Sequence, residues 1–303
     1  MLAELESLTP LAPLHNPANI AGIRLARSVW PDLPQIGVFD TAFHQTMPPK
    51  AFMYALPYDL YERLGIRKYG FHGTSHSYVA KRAADFVGKP FDSLKIITCH
   101  LGNGASIAAI KHGKSVDTSM GLTPVEGMIM GTRSGDLDLG VLTYIIDKEG
   151  IGVQAANTLI NKHSGILGIS GVSSDMREVL RASEEGNERA QLALNMYHYR
   201  IIKYIGSYIA AMDGVDTIVF TGGIGENSAI TRSEVCKNFT YMGLELDLQK
   251  NESIRGEGFI STNKSKVQVM VIPTNEEAVI AEETMKVVEA NKVFVMNQKL
   301  KQL

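Results

Sequence analysis

A chain of 303 residues, 45% of them hydrophobic and 20% charged, is long enough to bury a large core and to divide into two domains. Its formal net charge of -2, with both signs interspersed, argues against a polyanion-binding surface and so against nucleic acid as a partner. The two cysteines, Cys99 and Cys236, lie far apart and supply neither a disulfide framework nor a C-x-x-C metal site, which fits a reducing cytoplasm.

The opening stretch "MLAELESLTPLAPLHNP" carries acidic residues where a secretory signal would carry basic ones. The apolar runs are of strand length rather than membrane length, so a cytoplasmic chain with no membrane partner is expected. "IGVF", ahead of Asp40, reads as a strand whose end delivers a carboxylate into a cleft, although Asp after a strand also serves to cap the next turn. "LKIITCH" and "SIAAI", with a third strand after the turn "KHGK", read as an antiparallel meander. The longest helical pattern runs from about Met176 to Met212, with Leu194, Tyr197, Ile201, Ile205, Tyr208 and Met212 on one face and "SEEGNER" placed to divide it in two. Asp175 and Glu178 have the spacing of a capping box at its start. "DTIVF" and "KVQVMVI" read as further buried strands. The second breaks at Pro273 into a helix that begins with Glu276 and Glu277, a placement the helix dipole favours by itself.

Five polar, glycine-rich segments interrupt these elements: "FDTAFHQTMP", "YGFHGTSHSYV", "HLGNGAS", "DTSMGLTPVEGMIMGTRSGDLD" and "TGGIGENS". Such loops bring donors against an anion without steric obstruction. A strand that ends in "GGIGEN" leaves N–H groups aimed at one spot, suited to a phosphate or the face of a nucleotide, although a glycine pair after a strand is by itself more often a tight turn. No Walker A sequence, no G-x-G-x-x-G fingerprint and no protein-kinase signature is present, so the common nucleotide folds do not account for these loops.

Together and in this order, "YGFHGTSH", "HLGNGAS" and "GMIMGTRSGDLD" resemble the acetate kinase family, within the superfamily of sugar kinases, heat-shock chaperone ATPases and actin; the similarity runs from about His15 to the end. The resemblance implies an α/β fold of two ribonuclease-H-like domains with ATP in the cleft between them. Residues 1–44 and 276–303 would belong to the first, and 45–275 would form the second. It further implies phosphoryl transfer from ATP to acetate, Mg2+ as cofactor and a homodimer. The family pattern also includes an early strand with an "N-S-G-S-S-S" turn and a carboxylate-binding Arg in an "H-R-V-V-H-G-G" segment. Neither is in this sequence, so the isolated chain is expected to bind ATP or ADP and to give little acetyl phosphate.

By the same resemblance, Arg133 contacts the transferring phosphoryl group, a task suited to a planar fork of donors, and His72 donates a hydrogen bond to it. Asp40 is the active-site carboxylate that orients substrate or metal-bound water. Glu276 is the magnesium-associated carboxylate, in competition with its helix-dipole reading. His100, Leu101, Gly102, Asn103 and Gly104 form the β/γ-phosphate loop. Gly223, Ile224, Gly225, Glu226 and Asn227 form the adenosine side, completed by Asp175, Met176 and Arg177. Leu14, Phe71 and Pro124 line the pocket for the acetate methyl, with His15 either near the substrate or a plain loop histidine. A propionate or butyrate kinase would share these loops and differ in the acyl pocket. Outside the enzymes, the alternative is a nucleotide-binding module without catalysis.

Overall fold

The computed structural model describes residues 2–9 and 16–300. The expectations for Leu14 and His15 therefore fall outside the described residues. Helices α1 (Leu2–Ser7), α2 (Asn16–Val29), α3 (Pro49–Phe52), α4 (Tyr58–Leu64) and α5 (Gly73–Val87) precede strands β1 (Lys95–Leu101), β2 (Ala105–Lys111) and β3 (Lys114–Thr118). Helices α6 (Leu139–Glu149), α7 (Val153–Lys162), α8 (Gly165–Ser170), α9 (Met176–Glu184) and α10 (Glu188–Met212) follow. The chain continues through β4 (Thr217–Thr221), α11 (Gly222–Asn227), α12 (Ala229–Cys236), α13 (Leu248–Ser253), β5 (Gly258–Phe259), β6 (Gln268–Val271) and α14 (Glu276–Leu300).

The strands form one mixed sheet in the order β3-β2-β1-β4-β6-β5. β1, β2 and β3 are the expected antiparallel meander. Its second turn, His112-Gly113, has φ of 54° and 74°, the doubly positive geometry whose twist suits a two-residue hairpin. β1, β4 and β6 run parallel, with His100 beside Thr221 and Phe220 beside Val271.

Strand side chains alternate between faces, and both faces of this sheet are covered, which explains why its strands read as continuous apolar runs. Ile97, Cys99, Ile218 and Phe220 pack with Tyr197, Ile201 and Ile205 of α10. Their strand neighbours Ile96 and Val219 pack instead with Val79, Ala80, Ala83 and Ala84 of α5. The long helical pattern divides where expected. α9 stops at Glu184, Gly186 takes a φ of 91°, and Asn187 caps α10 by accepting from the Ala190 N–H.

Two expectations need correction. Residues 34–39 form no strand: a strand requires a neighbour to complete its hydrogen-bond ladder, and none pairs with this segment among the described residues. Asp40 thus lies in a turn ahead of the 3-10 segment Ala42–Thr46. Asp175 caps α9 through the N–H of Arg177, whereas Glu178 is held by its backbone N–H on the Asp175 carbonyl, so the side-chain exchange of a capping box is replaced by a simpler cap.

The parallel strands deliver three loops to one edge of the sheet: Gly102–Gly104 after β1, the start of α11 after β4, and 272–275 after β6. In open α/β sheets the crevice outside the carboxyl ends of the strands is where ligands bind.

Candidate functional site

The turn after β1 closes through a 3.0 Å bond from the Gly102 N–H to the Gly104 carbonyl, which leaves Asn103 at its tip. The Asn103 carbonyl accepts from the Gly131 N–H at 2.9 Å. A Cβ at Gly131 would collide with the Asn103 amide oxygen and stand 3.1 Å from the Ser174 carbonyl. Glycine at 131 therefore lets the β1–β2 turn, the 127–136 loop and the cap of α9 meet. On the other side, Gly222 (φ 76°) opens α11 against β1, where a Cβ would come 2.8 Å from the Leu101 carbonyl.

Arg133 sits in the loop that this meeting fixes. Asp136 accepts from the Gly127 N–H and from the Tyr204 hydroxyl, each at 2.8 Å, and pairs with Arg200 at 3.1 Å, which ties the loop to α10. Arg133 Nη1 donates to the Pro124 carbonyl at 3.1 Å and lies 3.6 Å from Met130 Sδ. Among the described residues no carboxylate pairs with it, and burial pulls its pKa down. A guanidinium in this state is a receptor for an anion.

His72 precedes α5 in the left-handed region, at φ 56°. Asp40 holds it there: its carboxylate accepts from the His72 N–H at 2.5 Å, from the Thr74 hydroxyl at 2.9 Å and from the Thr74 N–H at 3.3 Å. A carboxylate at this point satisfies donors that the first turn of a helix leaves open. Asp40 thus does cap a turn, and in doing so it positions the His72 ring. That ring stacks on His100 with centroids 4.2 Å apart. A Cβ at Gly104 would lie 3.5 Å from Arg133 Nη1 and 3.7 Å from His72 Nε2. The missing side chain keeps open the space that both donors border.

Behind this space lies a polar cluster under the sheet. His44 Nε2 reaches the Phe71 carbonyl at 3.0 Å, so this nitrogen carries the proton and Nδ1 accepts from the Ser115 hydroxyl at 2.8 Å. His100 Nδ1 meets Ser75 Oγ at 2.8 Å. Burial holds His44 and His100 down to about 4, and His76 well below the ordinary imidazole value. Glu276, half-buried at the start of α14, is pushed up by burial and then by the charge of Asp40, so the two carboxylates share one field.

The remaining expected residues take varied positions. Asp175 and Arg177 form an exposed fork at 2.6 Å and 3.0 Å, which holds the Asp175 carboxyl down to about 2. Met176 is buried in the core and Ile224 packs against it. The first N–H of α11, at Gly222, is taken by Glu226 Oε1 at 2.9 Å, and Asn227 donates to the Gly223 carbonyl at 2.8 Å. Pro124 is buried and contributes its carbonyl to Arg133; Phe71 is half-buried and gives its carbonyl to His44.

Sequence reasoning missed Arg232. It is buried, donating to the carbonyls of Gly225 at 2.9 Å and Glu226 at 2.8 Å and to Asn251 Oδ1 at 2.7 Å, and so fixes the backbone of α11. An Arg on a short helix reads as a solvent-facing residue, and no signal in the string links it to carbonyls six and seven residues back.

A family model described as the acetokinase family matches residues 1–282. The acetate kinase of Thermotoga petrophila is 59% identical over 292 residues, which span 95% of this chain and 72% of that protein. The crystal structure of Porphyromonas gingivalis acetate kinase superposes with a TM-score of 0.90 at 56% identity, covering 95% of this chain and 72% of that one. A propionate kinase structure from Francisella tularensis gives a TM-score of 0.88 at 47% identity, covering 93% of this chain and 72% of that one.

The buried histidines make stability depend on pH. His44 and His100 titrate near 4 when folded and near 6.5 when unfolded, so between these values the unfolded chain binds more protons and stability rises with pH. The urea midpoint should be steady above pH 6.5 and fall as pH drops from 6.5 to 4. A Ser115→Ala, Ser75→Ala double variant should keep that slope, because burial rather than either hydroxyl causes it. A flat profile through the window would contradict the assignment.

Proposed function

The chain belongs to the acetokinase family, whose members transfer phosphate to a carboxyl acceptor, and from that premise we propose how its cleft moves the γ-phosphoryl group of ATP to acetate, giving acetyl phosphate and ADP reversibly. The observation that supports this reading best is the half-buried guanidinium of Arg133, unpaired with any carboxylate among the described residues and facing His72 across Gly104. Phosphoryl transfer asks for aligned reactants and for neutralisation of charge on the equatorial oxygens rather than for a covalent nucleophile.

In this reading Arg133 contacts the transferring phosphoryl group, and His72 donates a hydrogen bond to it. Asp40 fixes the His72 backbone and orients the reacting groups. The loop His100–Gly104 faces the β- and γ-phosphates. Gly223–Asn227 with Asp175–Arg177 receive the adenosine end, Arg232 holding the first of these segments in shape. Phe71 and Pro124 bound the acyl pocket. Residues 45–275 form the nucleotide-carrying domain, and 1–44 with 276–303 belong to the opposing one.

The residues present fit a magnesium ion. Burial and the charge of Asp40 both disfavour a carboxylate at Glu276, a balance that a nearby divalent cation would reverse. Asp40 is already engaged by three donors, which leaves Glu276 to hold the ion together with water and phosphate oxygens. No group of three or more His, Cys, Asp or Glu is gathered for a metal among the described residues, and Mg2+ characteristically takes only one or two carboxylates. When bound, it neutralises charge on the β- and γ-phosphates.

Propionate is a second acceptor to weigh, because of the likeness to the Francisella propionate kinase. One methylene separates the two acids, and the ratio of their kcat/KM values decides the preference, with about 10- to 200-fold as the span a pocket of this kind achieves.

No helix among the described residues is long and apolar enough to cross a membrane; we place the chain in the cytoplasm. We also infer a homodimer. α6 buries none of its residues, and it exposes Leu139 at 77%, Val141 and Tyr144, beside Val153 of α7 at 77%. Exposed apolar surface of this kind supports that reading.

In a version of the chain that also carries the family's early strand and carboxylate-binding segment, Arg133→Ala should lower kcat by roughly 10^3 with little change in acetate KM, and Arg133→Lys should recover only part of it. The tightening of ADP binding by aluminium fluoride, a planar phosphoryl mimic, should vanish in the same variant. Unchanged kcat with a raised acetate KM would make Arg133 a carboxylate binder instead. For assembly, sedimentation should give a dimer, and Leu139→Asp with Tyr144→Asp should give a folded monomer; a monomeric parent chain would refute the interface.

A further inference from the structure

Four groups behind the cleft are joined in a chain of hydrogen bonds. His72 Nδ1 lies 2.9 Å from Ser106 Oγ. Ser106 Oγ lies 2.7 Å from His76 Nε2, and His76 Nδ1 lies 2.7 Å from Thr98 Oγ1. His76, Ser106 and Thr98 are fully buried, so water does not complete the chain. The fold sets the spacing: His72 and His76 are one turn apart along the start of α5, while Thr98 and Ser106 belong to the paired strands β1 and β2 beneath it.

The protons of such a chain have two orders. Burial keeps His76 neutral, so it carries one N–H, and each hydroxyl donates once. If His72 donates from Nδ1, Ser106 must donate to His76 Nε2, and His76 must then donate from Nδ1 to Thr98. The Thr98 hydroxyl would need a further acceptor, and among the described residues its one side-chain partner is His76. A buried donor left unmade carries a desolvation cost that nothing in this order offsets. In the opposite order Thr98 donates to His76, His76 to Ser106 and Ser106 to His72 Nδ1. Every proton is then used, and His72 carries its own on Nε2, the nitrogen that borders the open space at Gly104.

We propose that Thr98, His76 and Ser106 act as a one-way hydrogen-bond relay that fixes His72 in its Nε2–H tautomer, which makes them positioning residues for phosphoryl transfer. The inference rests on the reading of His72 as a hydrogen-bond donor to the phosphoryl group. It assigns to a threonine two links away from His72 a part in aiming that donor. Hydroxyl order sets the tautomer here, as a carboxylate or carbonyl does for other functional histidines.

The test is the pair of imidazole nitrogen shifts of His72, read by NMR on the full 15N-histidine-labelled chain. His72 in the parent chain should be the Nε2–H tautomer. Ser106→Ala should shift it to a mixture with Nδ1–H and lower kcat on the order of tenfold, the cost of one misdirected donor, with acetate KM little changed. Thr98→Val, nearly the same shape, should move the His72 shifts in the same direction, and Thr98→Ser should restore them. The tautomer is read on the resting protein, so it tests the relay whatever His72 faces; the kcat of His72→Ala tests that reading separately. An Nδ1–H tautomer in the parent chain would overturn the proposal, as would His72 shifts unmoved by both Ser106→Ala and Thr98→Val. Should Ser106→Ala fail to fold, the parent chain and Thr98→Val still decide.

Discussion

A guanidinium drawn halfway out of water, with no carboxylate to meet it among the described residues, is the constraint on which the cleft is built. Desolvating a charge without pairing it costs on the order of several kcal/mol, and an incoming anion offsets that cost where a fixed carboxylate would cancel the site. The surrounding structure holds Arg133 in this state. Asp136, Tyr204 and Arg200 tie its loop to α10, the core helix on one face of the sheet. Gly131 admits the neighbouring turn close enough for the guanidinium to border the same space as His72. The burial of apolar strands on both sheet faces supplies the stability against which this local cost is set.

The charges around that cation are managed with few ions. Asp40 is absorbed by the first turn of α5, Asp136 by Arg200 and Asp175 by Arg177, so none of the three neutralises Arg133. His44, His76 and His100 are kept neutral by burial and act through directed N–H groups. A site that contributes one permanent cation and several oriented neutral donors is complementary to spread charge, as on a transferring phosphoryl group, more than to a compact ground-state anion.

Much of this was legible in the string because local physics determined it. The strand meander, the divided helix ending at Met212 and the break at Pro273 follow from apolar periodicity and turn residues, and the structure keeps them. The glycine loops were readable as sites of close approach, and Gly131 and Gly222 are such sites. What was not legible depends on partners distant in sequence. "IGVF" has the composition of a strand, but pairing is decided by a neighbour rather than by composition. Met176 carries no mark that distinguishes a core methionine from a pocket wall. Pro124 acts through a carbonyl, a group every residue has. Arg232 is aimed inward by Asn251, nineteen residues on, and Ser106 gains its role from two histidines thirty or more residues earlier.

Stability measured without substrate tests the central constraint most directly. If Arg133 is held unpaired for an anion, Arg133→Met, of similar length and apolar, should unfold at a higher urea concentration than the parent chain. Acetyl phosphate should then raise the parent's unfolding free energy, by about 2.7 kcal/mol at a hundredfold excess over its Kd, and leave the variant's unmoved. An Arg133→Met chain less stable than the parent without ligand, and equally stabilised by acetyl phosphate, would mean that the guanidinium is a structural tie to Pro124 and that the cleft's cation lies elsewhere.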